Sequence, residues 1–130
     1  MTDVLADADM VVKAWANSLD LGAATGRVFF GIPEKTKFPA ISMNRYAGLP
    51  DEYLAVDMPR FQFDSWGLSI EAAAGPANKL RDAIRNLTSK TETTAGFLDG
   101  GKVLLGPRRQ SDANAHISRY IIDAEFFIRA

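Results

Sequence analysis

The first hydrophobic pattern along the chain has the period of an α-helix. From Asp3 to about Leu19, apolar residues including Trp15 recur at intervals of three and four, which places them on one helical face. Thr2 or Asp3 can cap this helix, because a side-chain oxygen there would accept from the free backbone N–H groups of the first turn. The helix is predicted to end near Gly22, where glycine can adopt a left-handed conformation.

A second helical pattern follows the middle of the chain, from Ser69 to about Asn86. Its polar side carries charged residues typical of a solvated face. Gly75-Pro76 interrupts the pattern, and proline lacks the N–H that a helix needs at that position. We therefore expect a kink or a restart at Pro76.

Between and after these helices, the hydrophobic period changes to two, which is typical of β-strands. Pro59 predicts that regular pairing of the central segment starts after it. Turn signals are present at 47–52 and 97–101, and a polar, exposed loop is expected at 107–114. The predicted strand segments are Arg27–Ile32, Ala40–Tyr46, Asp57–Gly67, a short strand or hairpin at Lys102–Gly106, and Ile117–Arg129.

This order of elements predicts an α+β fold. Short links join most of the strands, so the economical arrangement is an antiparallel or mixed sheet of about four to five strands packed with two α-helices. At 130 residues the chain fits one domain spanning residues 1–130.

The central strand segment has an unusual second face. Phe61 and Phe63 alternate with Arg60, Gln62, Asp64 and Trp66, so a tryptophan stands on the face that should be solvated. Either a bulge near Gly67 turns the indole inward, or the second face is itself covered. Ile121 and Phe127 raise the same question on the last strand. Better helix coverage within one chain and contact with another subunit both remain open.

Charge and composition exclude several classes of function. Fifteen basic and sixteen acidic residues leave a net charge of −1, so no basic excess supports nucleic-acid binding. The chain has no cysteine, which excludes disulfides, thiolate metal sites and cysteine nucleophiles. No secretory signal or membrane-length apolar run is present, so we expect a soluble protein without a membrane partner.

Candidate catalytic residues are few. His116 is the one histidine, and at a strand entrance it is expected to be structural or exposed. Asp57, Asp64, Asp112 and Asp123 could form a metal or paired-carboxylate site, but aspartates at alternate strand positions are usually solvated or paired with Arg60, Arg119 or Arg129.

One glycine pattern has the spacing of a phosphate loop. It joins Gly96 to Gly101-Lys102, but Val103 stands where a hydroxyl is required and a strand follows. The sequence therefore predicts no catalytic residue, cofactor or metal. The alternative is a small enzyme, or a ligand-binding α+β domain, with Asp64, Asp123 or His116 in an acidic cleft.

Three segments and their order resemble one structural family, the siphophage tail terminator (tail completion) proteins. The likeness covers most of the chain and includes the N-terminal amphipathic helix with Trp15 and the alanine-rich second helix. The matching strand segments are Phe38–Gly48, Asp57–Gly67 and Arg119–Asp123.

This resemblance implies a virion structural protein without catalytic activity. It implies a homohexameric ring at the head-proximal end of the tail, assembled in the host cytoplasm. Such a ring stops polymerisation of the tail tube protein and binds a head-completion protein, with DNA only passing through the lumen. Heterologous ring contacts join two different surfaces of neighbouring copies. The predicted subunit or partner contacts are Arg45, Tyr46, Arg60, Gln62, Trp66, Arg108, Arg109 and Arg119.

Overall fold

The computed structural model describes residues 7–32, 36–47, 50–51, 56–87, 90–110 and 117–129. It confirms the α+β class with two helices, and its mixed sheet has more strands than the expected four to five. The helices are α1 (Ala8–Asn17) and α2 (Ile70–Arg85), with a 3₁₀ turn at Gly22–Ala24. The strands are β1 (Val28–Phe29), β2 (Ala40–Ala47), β3 (Pro50–Asp51), β4 (Val56–Asp57), β5 (Arg60–Gly67), β6 (Thr91–Thr93), β7 (Gly96–Gln110) and β8 (Ser118–Arg129).

The last strand, β8, lies in the middle of the sheet. One of its edges pairs with β5 and, further along, with β4, while its other edge pairs with β7. Beyond β5 come β2 and then β1, which is parallel to β2, and β6 continues the sheet beyond β7. All other pairings are antiparallel.

The prediction that pairing resumes after Pro59 is confirmed, since β5 begins at Arg60. The ring of Pro59 removes its N–H, but its carbonyl still accepts a hydrogen bond from the Phe126 N–H at 3.0 Å. The two residues Met58-Pro59 therefore separate β4 from β5 while both stay beside β8.

The first helix begins later than its hydrophobic pattern predicts. Asp7 caps it, and its Oδ1 accepts from the N–H of Asp9 at 3.0 Å and of Met10 at 3.4 Å. The predicted caps Thr2 and Asp3 lie outside the described residues. The helix stops at Asn17, before Gly22, whose φ of +65° is left-handed as predicted but belongs to the 3₁₀ turn.

The predicted restart of the second helix at Pro76 is wrong, because α2 runs from Ile70 to Arg85 without a break. Pro76 is buried against the core, and the turn before it is fixed to the sheet by the Ser65 hydroxyl, which donates to the Ala73 carbonyl at 2.8 Å. Gly67 permits this close approach, since a Cβ there would lie 2.6 Å from the Ala73 nitrogen.

Three predicted turns or loops contain strand instead. Pro50–Asp51 forms β3, the 97–101 turn signal lies within β7, and residues 107–110 extend β7 into the expected polar loop. In β7, pairing with β8 overrides local turn propensity, with register irregularities where extra residues are accommodated. The first predicted strand, Arg27–Ile32, is conversely reduced to the two residues of β1.

The core lies between the helices and one face of the sheet. Trp15 of α1 and three phenylalanines from the central strands form an aromatic cluster, with Phe126 at its centre. Its ring centroid lies 5.5 Å from that of Trp15, 6.0 Å from Phe61 and 6.1 Å from Phe63, each in an edge-on arrangement.

Because Phe126 is fully buried, Phe126→Ala should lower the free energy of unfolding by about 3–5 kcal/mol. Urea denaturation measures this loss. The matched control is Phe97→Ala, which removes a side chain that is 53% exposed and should change stability by less than about 0.5 kcal/mol. Equal losses in the two variants would contradict the central place of Phe126.

Candidate interaction surface

The sheet face opposite the helices, here called the outer face, is built from the alternate side chains of four strands. Residues directly opposite each other in the ladders share a face, which sets its membership from the strand registers. Its residues include Ala40, Ser42 and Asn44 of β2, Arg60, Gln62, Asp64 and Trp66 of β5, Gly100, Lys102, Leu105, Arg108 and Gln110 of β7, and Arg119, Ile121, Asp123, Glu125 and Phe127 of β8.

Ion pairs cross the outer face from strand to strand. Arg119 Nη1 of β8 lies 3.4 Å from Asp64 Oδ2 of β5. Arg108 Nη2 of β7 lies 3.2 Å from Asp123 Oδ2 of β8. A third pair returns to β5, where Arg60 Nε donates to Glu125 Oε2 at 2.8 Å.

The acidic and basic members of these pairs differ in accessibility. The side chains of Asp64 and Asp123 are each only 12% exposed, whereas those of Arg60 and Arg108 are 47% and 40% exposed. A molecule approaching the outer face therefore meets guanidinium groups above carboxylates. The local charges balance, so this face attracts a polyanion less than the same arginines would without their partners.

Trp66 stays on the outer face, and the predicted bulge at Gly67 is absent from the continuous β5–β8 register. The indole is half-buried, and its N–H donates to the Ser42 hydroxyl at 3.1 Å. The Arg119 guanidinium lies over the ring, 4.9 Å from its centroid. Long side chains of the face itself thus cover the tryptophan.

Tyr46 stands at a β2 register shift between Arg45 and Ala47 and is 51% exposed. Burial of its hydroxyl, followed by the negative charge of Asp123, raises the pKa of Tyr46 above its ordinary value. The hydrogen bond from Arg60 to Glu125 raises the pKa of Arg60 in turn. Tyr46 therefore belongs electrostatically to the outer-face network.

The structure brings together most of the predicted contact residues. Arg45 is separate from them, because it pairs with the buried Asp57 at 3.0 Å. Arg109 is exposed and lies opposite Tyr120, in the register of the other face. The predicted residues that meet on or beside the outer face are Tyr46, Arg60, Gln62, Trp66, Arg108 and Arg119.

Sequence reasoning missed Ser42 and Leu105 as members of this surface. Ser42 alternates with the core residues on either side of it, but only the structure shows that its hydroxyl reaches the indole. Leu105, 53% exposed, lies opposite Asp123 because the β7 register shifts between Val103 and Leu105, which simple alternation does not predict. The expected pairing of an aspartate with Arg119 is confirmed for Asp64, whereas Asp123 pairs with Arg108, which was not among the predicted partners.

Two buried polar atoms within the network have no hydrogen-bond partner among the described residues. They are the Asp123 Oδ1 and the Arg119 Nε. An unpaired buried polar group is costly, so these atoms mark where the network is incomplete.

The described part of the chain gives little support for a metal, catalytic or phosphate-binding site. Its His, Asp and Glu residues contain no group of three placed to hold a metal ion. Asp112 and His116 lie outside the described residues. The glycine and lysine of the phosphate-loop pattern lie along β7, where they cannot wrap a phosphate. Of the helices described, none is long and apolar enough to cross a bilayer.

Neither a family model nor a curated protein matches the sequence. The fold has a solved counterpart. It is a chain of a structure described as the virion of a native gene transfer agent particle, with a TM-score of 0.69 and 16% sequence identity. The match covers 94% of this chain and 97% of that chain. At this identity the likeness is one of fold, and it extends over nearly the whole of both chains.

The phenol of Tyr46 should ionise above the ordinary value of about pH 10. A titration of phenolate absorbance, compared with Tyr46→Phe, measures its pKa. Asp123→Asn should lower this pKa only part of the way, because burial is the larger cause.

The sign of the linked stability change follows from the raised pKa. The folded protein holds the Tyr46 proton more tightly than the unfolded chain does, so this contribution is complete below about pH 10 and is lost as pH rises through the native pKa. A native Tyr46 pKa at or below the ordinary value would contradict the described environment.

Proposed function

We propose that this protein is a structural component of a virion. The observation that carries the proposal is the fold correspondence with a chain of a virion particle, which leaves almost no part of either chain unmatched. Fold alone does not determine function. The argument therefore also rests on the outer face and on the segments that resemble the tail terminator family.

Within that class, we assign the protein to tail termination. The resembling segments correspond to β2, to β4 and β5, and to the first half of β8, which are neighbours in the sheet. In this role a homohexameric ring occupies the head-proximal end of the tail tube, stops its polymerisation and presents its other side to a head-completion protein. Assembly takes place in the host cytoplasm.

The chemistry of the outer face suits a protein partner. Arginine, tyrosine and tryptophan are enriched in protein interfaces, and here Arg60, Tyr46 and Trp66 lie on or beside one face. The exposed Leu105 adds an apolar contact. Of the residues named for a catalytic alternative, Asp64 and Asp123 are engaged by arginines.

The charge balance also suits passage of DNA. Strong DNA binding requires basic side chains free to displace counterions from phosphates. In this chain the outer-face arginines already pair with carboxylates, and the net charge is −1. A lumen of such subunits would let DNA slide without holding it.

The decisive experiment measures assembly with and without purified tail tubes. Light scattering should show particles of six chains, and negative-stain images should show rings that occupy one end of each tube and limit its growth. A protein that remains monomeric at all concentrations and never occupies tube ends would refute the proposal.

Tyr46→Ala combined with Leu105→Glu should weaken ring or tube contacts about tenfold or more, since interface anchors of this size contribute at least 1–2 kcal/mol. Both residues are more than half exposed, so the melting temperature should change little. The matched control is Leu68→Glu, an exposed apolar residue in the link between β5 and α2. Unchanged assembly in the double variant would show that the outer face is not part of the ring or tube interface.

A further inference from the structure

A second surface feature lies away from the outer face, where the C-terminal end of α1 meets β6. It is a cavity of about 380 Å³. Helix residues Ala14 and Ser18 form one side, and Glu92 and Thr93 of β6 with Thr94 of the following turn form the other. Its volume is sufficient for the end of a long side chain.

The electrostatics of this cavity favour a cation. Glu92 is exposed, and its carboxylate makes no hydrogen bond or ion pair with any residue that the structure describes. The C-terminal end of a helix carries partial negative charge, and α1 has no basic residue in its last turn, whereas α2 has Arg85 there. The Ser18 hydroxyl donates to the Trp15 carbonyl, so its oxygen can still accept a hydrogen bond from a donor in the cavity.

An exposed cation, Arg109, lies at the far end of β7. Arg109 is exposed and forms no ion pair within the described ranges, in contrast to its neighbour Arg108, which is bound to Asp123. From Gly100 to Gln110, β7 contains basic residues and no acidic ones. This end of the strand is therefore locally positive.

The two complementary features cannot meet within one copy. The cavity borders β6, which pairs with the start of β7, where Leu98 lies opposite Ile128. Arg109 lies opposite Tyr120. Tyr120 and Ile128 are eight positions apart on β8, a distance of about 26 Å at strand rise. An arginine side chain is far shorter than this, so Arg109 cannot reach Glu92 of its own copy.

We propose that Arg109 of one copy occupies the Glu92 cavity of the next copy. This contact joins two different surfaces of identical chains, so repetition is head-to-tail and closes into a ring when the rotation between copies is correct. The inference rests on the proposed function, because it assigns a specific contact to self-assembly. The receiving cavity lies at one end of β7 and the inserted side chain at the other.

A charge-reversal series tests the contact. Glu92→Arg and Arg109→Glu should each weaken association about tenfold or more, because each places like charges together, whereas the double variant restores the opposite-charge pair and should recover most of the affinity. The control is Arg85→Glu, which changes net charge equally at an exposed site on α2. Sedimentation over a concentration series measures association, and circular dichroism verifies folding.

Because the chain has no cysteine, the same contact can be tested by cross-linking. Glu92→Cys protein is mixed with Arg109→Cys protein and treated with a short bismaleimide. Covalent dimers should form in the mixture and far less in either protein alone. Arg85→Cys replaces Arg109→Cys in the control mixture and should give only background.

The outcomes separate this inference from the proposed function. If the wild type forms rings but the double variant is no better than the single variants, and cross-linking stays at background, the Arg109 contact is refuted while the ring stands. If the wild type never self-associates, both proposals fail. Recovery in the double variant together with specific cross-links supports both.

Discussion

The two-sided pairing of β8 is the constraint on which the rest of the structure depends. Because β5 and β7 hold both edges of this strand, its alternation assigns every second residue to one of two environments. The row containing Ile122, Ala124 and Phe126 forms the floor of the helix-covered core. The row between them, with Asp123 and Glu125, forms the centre of the outer face. Core and interaction surface are thus two sides of one strand.

The ion pairs of the outer face contribute more to register than to stability. Removing Asp64 and Asp123 from water has a cost that their arginine partners largely offset, so such pairs add little net stability. A slip of one residue, however, would turn these carboxylates toward the aromatic cluster and expose Phe61 and Phe63. The ion pairs on the outer face and the aromatic cluster on the core face of the sheet therefore favour the same strand register.

Much of this arrangement could be predicted from local patterns. The alternation of Phe61 and Phe63 with polar residues and the start of β5 after Pro59 are visible in the sequence, because they depend on period and on proline stereochemistry. The ends of α2 also follow from its period, but its continuity through Pro76 does not. Pairing of aspartates with arginines follows from general chemistry.

The long strand β7 could not be predicted in the same way. Its Gly100-Gly101, Gly106-Pro107 and adjacent arginines are typical of turns, and only pairing with β8 makes the segment extended. The set of residues that forms the outer face could not be predicted from the sequence for a related reason. Alternation gives the face of each residue within a strand, but the partner across the ladder depends on a register set by the whole sheet.

The free edges of the sheet limit the ways in which this protein can bind a partner. In β7, the thirteen residues Leu98–Gln110 face the ten residues Arg119–Ile128, and the resulting irregularities make that margin a poor template for an added strand. At the β1 margin, the Asn17 side chain donates to the Val28 carbonyl at 3.1 Å and accepts from the Val28 N–H at 2.9 Å, so the backbone groups that an added strand would need are already bonded. Backbone addition is disfavoured at both margins, so recognition depends on side chains, and new partners can be acquired by surface substitutions that leave the fold intact.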